Sequence, residues 1–327
     1  MRAGRMTAIA RALTLGLLVM PSVTALAQSA YPARAIRFIT PFPPGGSLDP
    51  LTRMSAQKLS ERWGQPGVVE NRPGGNSIIG TNAVAKAAPD GYTLLVAGTP
   101  HVINPSLFPT PYDALKDFAP VATIARSRQI LVINPSLPVS NLKELIALAK
   151  ARPGQLNYGS SGTGNTNHLA GELFCVLANV RMQHIPYKGA GPAIVDLISG
   201  QLQLSFHVTI SAIPHIRSGR LKPLAISGEP RAAALPQVPT FAEAGLPSFE
   251  MSGWTGIFAP AGTPKLIVDK ISGEMANILS SAEIVDWMGT QSLEPFISNP
   301  EQFAALLRSD MVRFAKLIKD ANIKVEP

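Results

Sequence analysis

A chain of 327 residues, 46% hydrophobic and 15% charged, has apolar content for two cores and too little charge to stay unfolded. Its net charge of +8 is scattered singly, without the basic clusters or interleaved aromatics of a nucleic-acid surface. One cysteine, Cys175, excludes an intrachain disulfide and any CxxC metal or redox site.

At the N-terminus Arg2, Arg5 and Arg11 precede an apolar run from Ala12 to Val19, and Ala25-Leu26-Ala27 supplies the small residues of a cleavage site. Residues 1–27 are expected to be a removable signal peptide, which sends the chain from Gln28 onward to the periplasm. Their apolar run is shorter than a bilayer requires. Next, AIRFIT reads as a strand, and PFPPGGSLDP turns from it into a helix. Asp49-Pro50 offers an N-cap and a proline at the first helical position, Leu51, Met54, Leu59 and Trp63 share one face, and Gly64 stops the helix. A loop of flexible backbone at a helix N-terminus suits an anionic group.

Further along, YTLLVAG, QILVINP, LQLSFH, LKPLAIS and GIFAP alternate with segments of helical periodicity, which is the pattern of α/β units. Asn141 with Glu144 and Asn299-Pro300 with Gln302 open helices as capping boxes, while Thr263-Pro264 and Gly191-Pro192 mark other starts. No repeat or tether divides the chain. A two-domain arrangement would therefore come from chain crossings, expected near Ala125–Pro135 and Met251–Pro260, with a ligand cleft between the halves.

A second strand, glycine loop and helix occurs in YGSSGTGNTNHLAGELF, where Ser160, Ser161, Thr163 and Thr166 place hydroxyls beside uncovered backbone. Two such loops facing each other would neutralise a carboxylate without arginine. Named motifs fail here. Gly159 to Thr163 resembles a nucleophile elbow around Ser161 but ends in threonine, and GxGxxG from Gly162 meets Asn167 where glycine is required. A secreted serine hydrolase using Ser160 or Ser161 remains the alternative from another class. Of the histidines, His168 in the first turns of a helix reads as structural, whereas His207 ends a strand where a crevice would open. Thr99 and His101 follow YTLLVAG and are candidates for the cleft wall, with Asn104 beyond them in a turn. Tyr187 and Lys188 stand at another strand end. Cys175 reads as a small core residue.

In order, YPARAIRFITPFPPGGSLD, VVENRPGGNSIIGTNAVAKAAPDGYTLL, NPSLPVSNLKELIALAKARPGQLNYGSSGTGNTNHLAGELF, IPYKGAGPAIVDLISGQL and LPQVPTFAEAGLP with GWTGIFAPAGTP resemble the Bug, or TctC-like, extracytoplasmic solute receptors of tripartite tricarboxylate transporters. The resemblance implies a two-lobed, type II-like periplasmic-binding-protein fold, with two mixed sheets flanked by helices and a cleft between lobes. The expected lobes are 28–128 with 255–327, and 129–254. It implies a non-enzymatic, monomeric receptor without cofactor or metal, taking a small carboxylate to membrane permease subunits or, in a sensing role, to a sensor kinase. Carried onto this chain, the family's grip falls to Phe42, Gly45, Gly46, Ser47 and Asp49 on one side. On the other it falls to Ser160, Ser161, Gly162, Thr163 and Thr166, followed by His168. Relatives carry an acidic or amide residue about where His207 stands, so His207 points away from a distal amine and toward a second carboxylate, an amide or an aromatic ring.

Overall fold

A computed structural model describes residues 31–320 together with 322 and 323, so the signal peptide expected at 1–27 lies outside the described residues. The first elements are β1 (Ile36–Thr40), α1 (Leu48–Trp63), β2 (Gly67–Asn71), α2 (Ile78–Ala85), β3 (Thr93–Gly98) and a single-turn α3 (Pro100–Ile103). After them come β4 (Phe118–Ile133), α4 (Leu142–Ala151), β5 (Asn157–Ser160), α5 (Thr166–Ala178), β6 (Gln183–Pro186), α6 (Ala190–Ile198), β7 (Leu204–Val208), α7 (Thr209–Arg217) and β8 (Lys222–Ile226). The chain closes with β9 (Ser252–Pro260), α8 (Lys265–Leu279), α9 (Ala282–Thr290), β10 (Leu293–Pro295) and α10 (Pro300–Asp320).

Strand β4 joins two groups of strands. Residues 118–128 run antiparallel along β9, beyond which lie β3, β1 and β2, whereas 129–133 run antiparallel between β7 and β8, with β5 and β6 beyond β7. Both groups are mixed, because β1 is parallel to β2 and β3, and β5 is parallel to β6 and β7. QILVINP predicts only the second part of β4. The strand starts earlier, at Phe118, because its first part borders β9 and its apolar residues are shared with that neighbour.

Side chains alternate across the strands as the pleat requires. In the second group Ile130 and Val132 pack with Ile194, Leu197 and Ile213 of α6 and α7, while Leu131 and Ile133 face Leu145, Leu169 and Phe174 of α4 and α5. In the first group Phe38, Leu94 and Val96 meet Leu51 and Leu59 of α1 and Ile271 and Met275 of α8. The other face packs on Phe303, Leu307 and Phe314 of α10.

Helix starts follow local chemistry with one difference. At α4 the amide of Glu144 donates to Asn141 Oδ1 at 3.0 Å and the Glu144 carboxylate accepts from Ser140 N–H at 2.6 Å. At α10 Asn299 and Gln302 exchange the two bonds of a capping box, at 2.8 and 3.0 Å. In α1 the cap position is Ser47, not Asp49, which lies in the first turn. Asp49 is drawn away by the Arg53 guanidinium at 3.0 Å and the Asn71 amide at 3.1 Å. Helix α1 ends at Gly64 in the left-handed conformation, φ 66°, which favours glycine. Cys175 on α5 is half-buried, and burial pushes its thiol up to about 12, which keeps it unreactive.

Candidate functional site

The parallel strands of each group point the same way, so β1 and β3 end beside one another, as do β5, β6 and β7. The loops leaving these five ends line one cavity of about 80 Å³, as expected outside the carboxyl ends of strands in α/β sheets. From the first group come Phe42, Gly46, Ser47 and Thr99, with Gly253 to Thr255 of β9 between the groups. From the second come Ser161, Asn165, Thr166 and Gly189, and Gln129, His207 and Ser211 form the floor. On the measure by which one water needs roughly 10–15 Å³, the volume holds about six water-sized groups, a small metabolite.

Among the described residues no Asp, Glu, Lys or Arg lines this cavity. Instead, the first residues of α1, α5, α6 and α7 do, and none of their cap positions (Ser47, Asn165, Gly189, Val208) has a side chain accepting a bond from its helix. Uncovered N–H groups and the positive ends of four helix dipoles therefore replace charged side chains. Such a cavity attracts an anion and supplies donors in place of a cation.

The second glycine loop is braced from behind. Ser160 Oγ shares a hydrogen bond of 2.6 Å with His184 Nε2, and the His184 and His168 rings stack with centroids 3.9 Å apart. His168 Nδ1 accepts the Gly164 amide at 2.9 Å, which leaves its proton on Nε2, 3.8 Å from Glu172. Glu172 in turn accepts from Tyr158 OH. Burial lowers His168 to about 4, and burial followed by the neighbouring His168 lowers His184 to about 3, so both rings are neutral at pH 7. Asn165 reaches across to Asn76 of the first group, and Asn76 donates to Asn104 at 2.8 Å. Gly162, at φ 133°, lies so close to Asn165, Asn76 and the Tyr187 carbonyl that an added Cβ would come within 3.0 Å of the Asn165 amide.

Of the candidate residues, Phe42, Gly46, Ser47, Thr99, Ser161, Thr166 and His207 line the cavity. Gly45, Asp49, His101, Ser160, Gly162, Thr163 and His168 do not. The Asp49 carboxylate is engaged with Arg53 and Asn71; burial pushes it up, and those hydrogen bonds outweigh burial and leave it below the usual carboxylate range. His101 is buried among Tyr112, Phe118 and Phe258, with Nε2 against the Ala114 carbonyl at 2.8 Å, and burial lowers it to about 4. Ser160, Gly162 and His168 belong to the bracing behind the loop. Tyr187 donates to Asp196 at 2.6 Å, and Lys188 is not among the lining residues.

The two loop serines separate nucleophile from base. Ser161 reaches the cavity but donates to Asn167 at 3.0 Å, an amide that cannot take its proton, while Ser160 has a histidine and no access. Sequence reasoning missed Gln129, Ser211 and Asn165 as lining residues. Gln129 carried a signal, a lone amide opening the apolar stretch QILVI; the other two depended on how loops and helices meet.

The family profile described as "Tripartite tricarboxylate transporter family receptor" (TctC) matches residues 51–323. Protein BugT of Bordetella pertussis is 39% identical over 299 residues, covering 90% of this chain and 92% of its own. Among solved structures, R. palustris Rpa4515 with adipate superposes with a TM-score of 0.88 at 34% identity, covering 90% of this chain and 99% of its own. The periplasmic binding protein BugD superposes with a TM-score of 0.86 at 31% identity, covering 90% of this chain and 100% of its own.

Proposed function

Because the chain belongs to the tripartite tricarboxylate transporter receptor family, we propose that it is a periplasmic, non-enzymatic receptor whose cavity captures a small carboxylate for membrane permease subunits. The observation that carries this reading is a cavity without a charged side chain onto which four uncapped helix N-termini open. A carboxylate held there accepts from the N–H groups around Gly46–Ser47, from those of Ser161 and Thr166, and from the hydroxyls of Ser47 and Thr166. The adipate in the relative from R. palustris supports a carboxylate ligand. Hydrolysis has no support in the loop serines, since neither combines access with a base.

The lobes 28–128 with 255–327 and 129–254 close by bending where β4 passes from β9 to β7 and where the chain returns into β9. Contacts that cross the cleft rim, such as Asn165 to Asn76, belong to the closed form. A ligand touching both glycine loops favours that form and shifts the population toward it.

Thermal unfolding of the refolded chain from Gln28, against a panel of mono- and dicarboxylates, amino acids and amides, tests the reading. A ligand at one hundred times its dissociation constant adds about 2.7 kcal/mol to native stability, a rise of a few degrees. A panel in which amides, but no carboxylate, raise the transition overturns it.

A further inference from the structure

The cavity floor is unlike its rim. Gln129 and His207 are 0% and 1% exposed, and Gln129 Oε1 and Nε2, His207 Nδ1 and Nε2, and Ser211 Oγ all lack a hydrogen-bond partner. An unmet buried polar group costs about 1–3 kcal/mol, and here five such atoms line one floor. Elsewhere among the described residues such atoms occur one to a side chain, as at Asn82, His101 and Tyr112, while Asn134 is tied to the Leu197 carbonyl at 2.7 Å. The floor is also the start of α7, whose Val208 cap position gives no side-chain bond and whose first turn carries Ser211.

We propose that Gln129, His207 and Ser211 seat a second carboxylate on the ligand, and that His207 takes up one proton as that carboxylate settles. The inference rests on the carboxylate reading above and names the ligand as a dianion. The Gln129 amide, the Ser211 hydroxyl, one His207 N–H and the α7 amides are donors, which suit an acceptor-only group. A distal ammonium would find no acidic side chain there. Since no cation among the described residues lines the cavity, a second negative charge is left uncompensated unless one forms.

His207 is the lining residue able to supply that charge. Burial, aided by the nearby His215, lowers it to about 4, so it is neutral at pH 7. His215 on α7 is itself lowered by burial and then by Arg220, and adds no charge at neutral pH. Ile130 of β4 is the register partner of His207, the floor residues Gln129 and Ser211 do not titrate, and His215 of α7 is the titratable group that acts on it. A carboxylate beside the ring favours the imidazolium. The step is a transfer from bulk water: imidazole plus one proton gives imidazolium, and ligand dianion plus imidazolium leaves one net negative charge for the glycine loops.

Titration calorimetry of the refolded protein with succinate, glutarate and adipate, each paired with butyrate, valerate or hexanoate of the same length, is run in phosphate and in Tris at one pH. The best dicarboxylate binds at least about tenfold tighter than its monocarboxylate, and about one proton is taken up per site. His207→Gln removes the uptake and reduces the tenfold preference to about threefold or less. Gln129→Glu, which keeps the shape and adds negative charge, weakens dicarboxylate binding more than monocarboxylate binding. Equal affinity for matched pairs, or dicarboxylate binding without proton uptake, overturns the inference while the receptor reading stands. If no carboxylate of either kind binds, both fall.

Discussion

The two glycine loops do the same work at the cavity rim but are held in different ways. The first, between β1 and α1, is fixed chiefly by Asn71 of the neighbouring strand, which donates to the Phe42 carbonyl at 3.0 Å and to Asp49 at 3.1 Å. The second, between β5 and α5, has one tie to β6, Ser160–His184, and is otherwise held from within by Ser161–Asn167, Gly164–His168 and the Asn165 bond to the Ser161 carbonyl. A loop tied to a strand inherits the strand's position, whereas one tied to its own buried side chains is built before any ligand arrives. Preorganised donors bind more tightly because less ordering remains to be done.

Glycine substitutions break this comparison most sharply. Gly45 and Gly164 share a φ of 81°, but a Cβ at Gly45 meets open space and one at Gly164 falls 2.6 Å from Leu107 Cδ1. Gly164→Ala is expected to lower stability by about 3 kcal/mol and Gly45→Ala by about 1 kcal/mol, the backbone strain alone. Urea unfolding of both variants reads the difference, and equal losses would mean that the second loop is not closely packed against Leu107.

Removing each loop's main anchor gives the next largest effect. His184→Ala deletes the Ser160 partner and the stack on His168, for a loss of about 2 kcal/mol, while Asn71→Ala deletes two bonds at a half-exposed position, for about 1 kcal/mol. Hydrogen exchange at Gly162 and Gly164 should speed up in the first variant and stay unchanged in the second.

Acid separates the loops by a smaller margin. His168 has its native value lowered to about 4 from an unfolded value near 6.5, so below pH 6.5 the unfolded chain binds a proton that the native chain does not. Stability therefore falls as pH drops from 6.5 toward 4, by about 1 kcal/mol for His168 at pH 5.5. Exchange measured at pH 7 and 5.5, corrected for intrinsic rates, should show protection lost at Gly164 before the first loop, which contains no histidine.

Much of this was legible along the chain. The strands of β1, β3, β7 and β9 announce themselves by β-branched and aromatic runs, and the caps at Asn141 and Asn299 by residues three apart, because these are local interactions. Both glycine loops were legible for the same reason. The boundary of α1 was misread, since Asp49-Pro50 is a good cap in isolation and only Arg53 and Asn71, which meet Asp49 in space, draw it into the first turn.

By itself the sequence determined the α/β alternation, the two uncovered loops, the absence of disulfide chemistry and the resemblance to solute receptors. All of these follow from composition, short-range spacing or ordered motifs. Only the tertiary structure decided which loop residues reach the cavity. Ser160 and Ser161 are adjacent, and successive residues leaving a strand turn to opposite sides, so one enters the bracing and the other the cavity. It also decided that Gln129 and Ser211, far apart in the chain, share a floor with His207, because β4 lies beside β7 and α7 follows β7 directly. Strand pairing is long-range, and no local pattern encodes which buried polar groups it will leave facing one another.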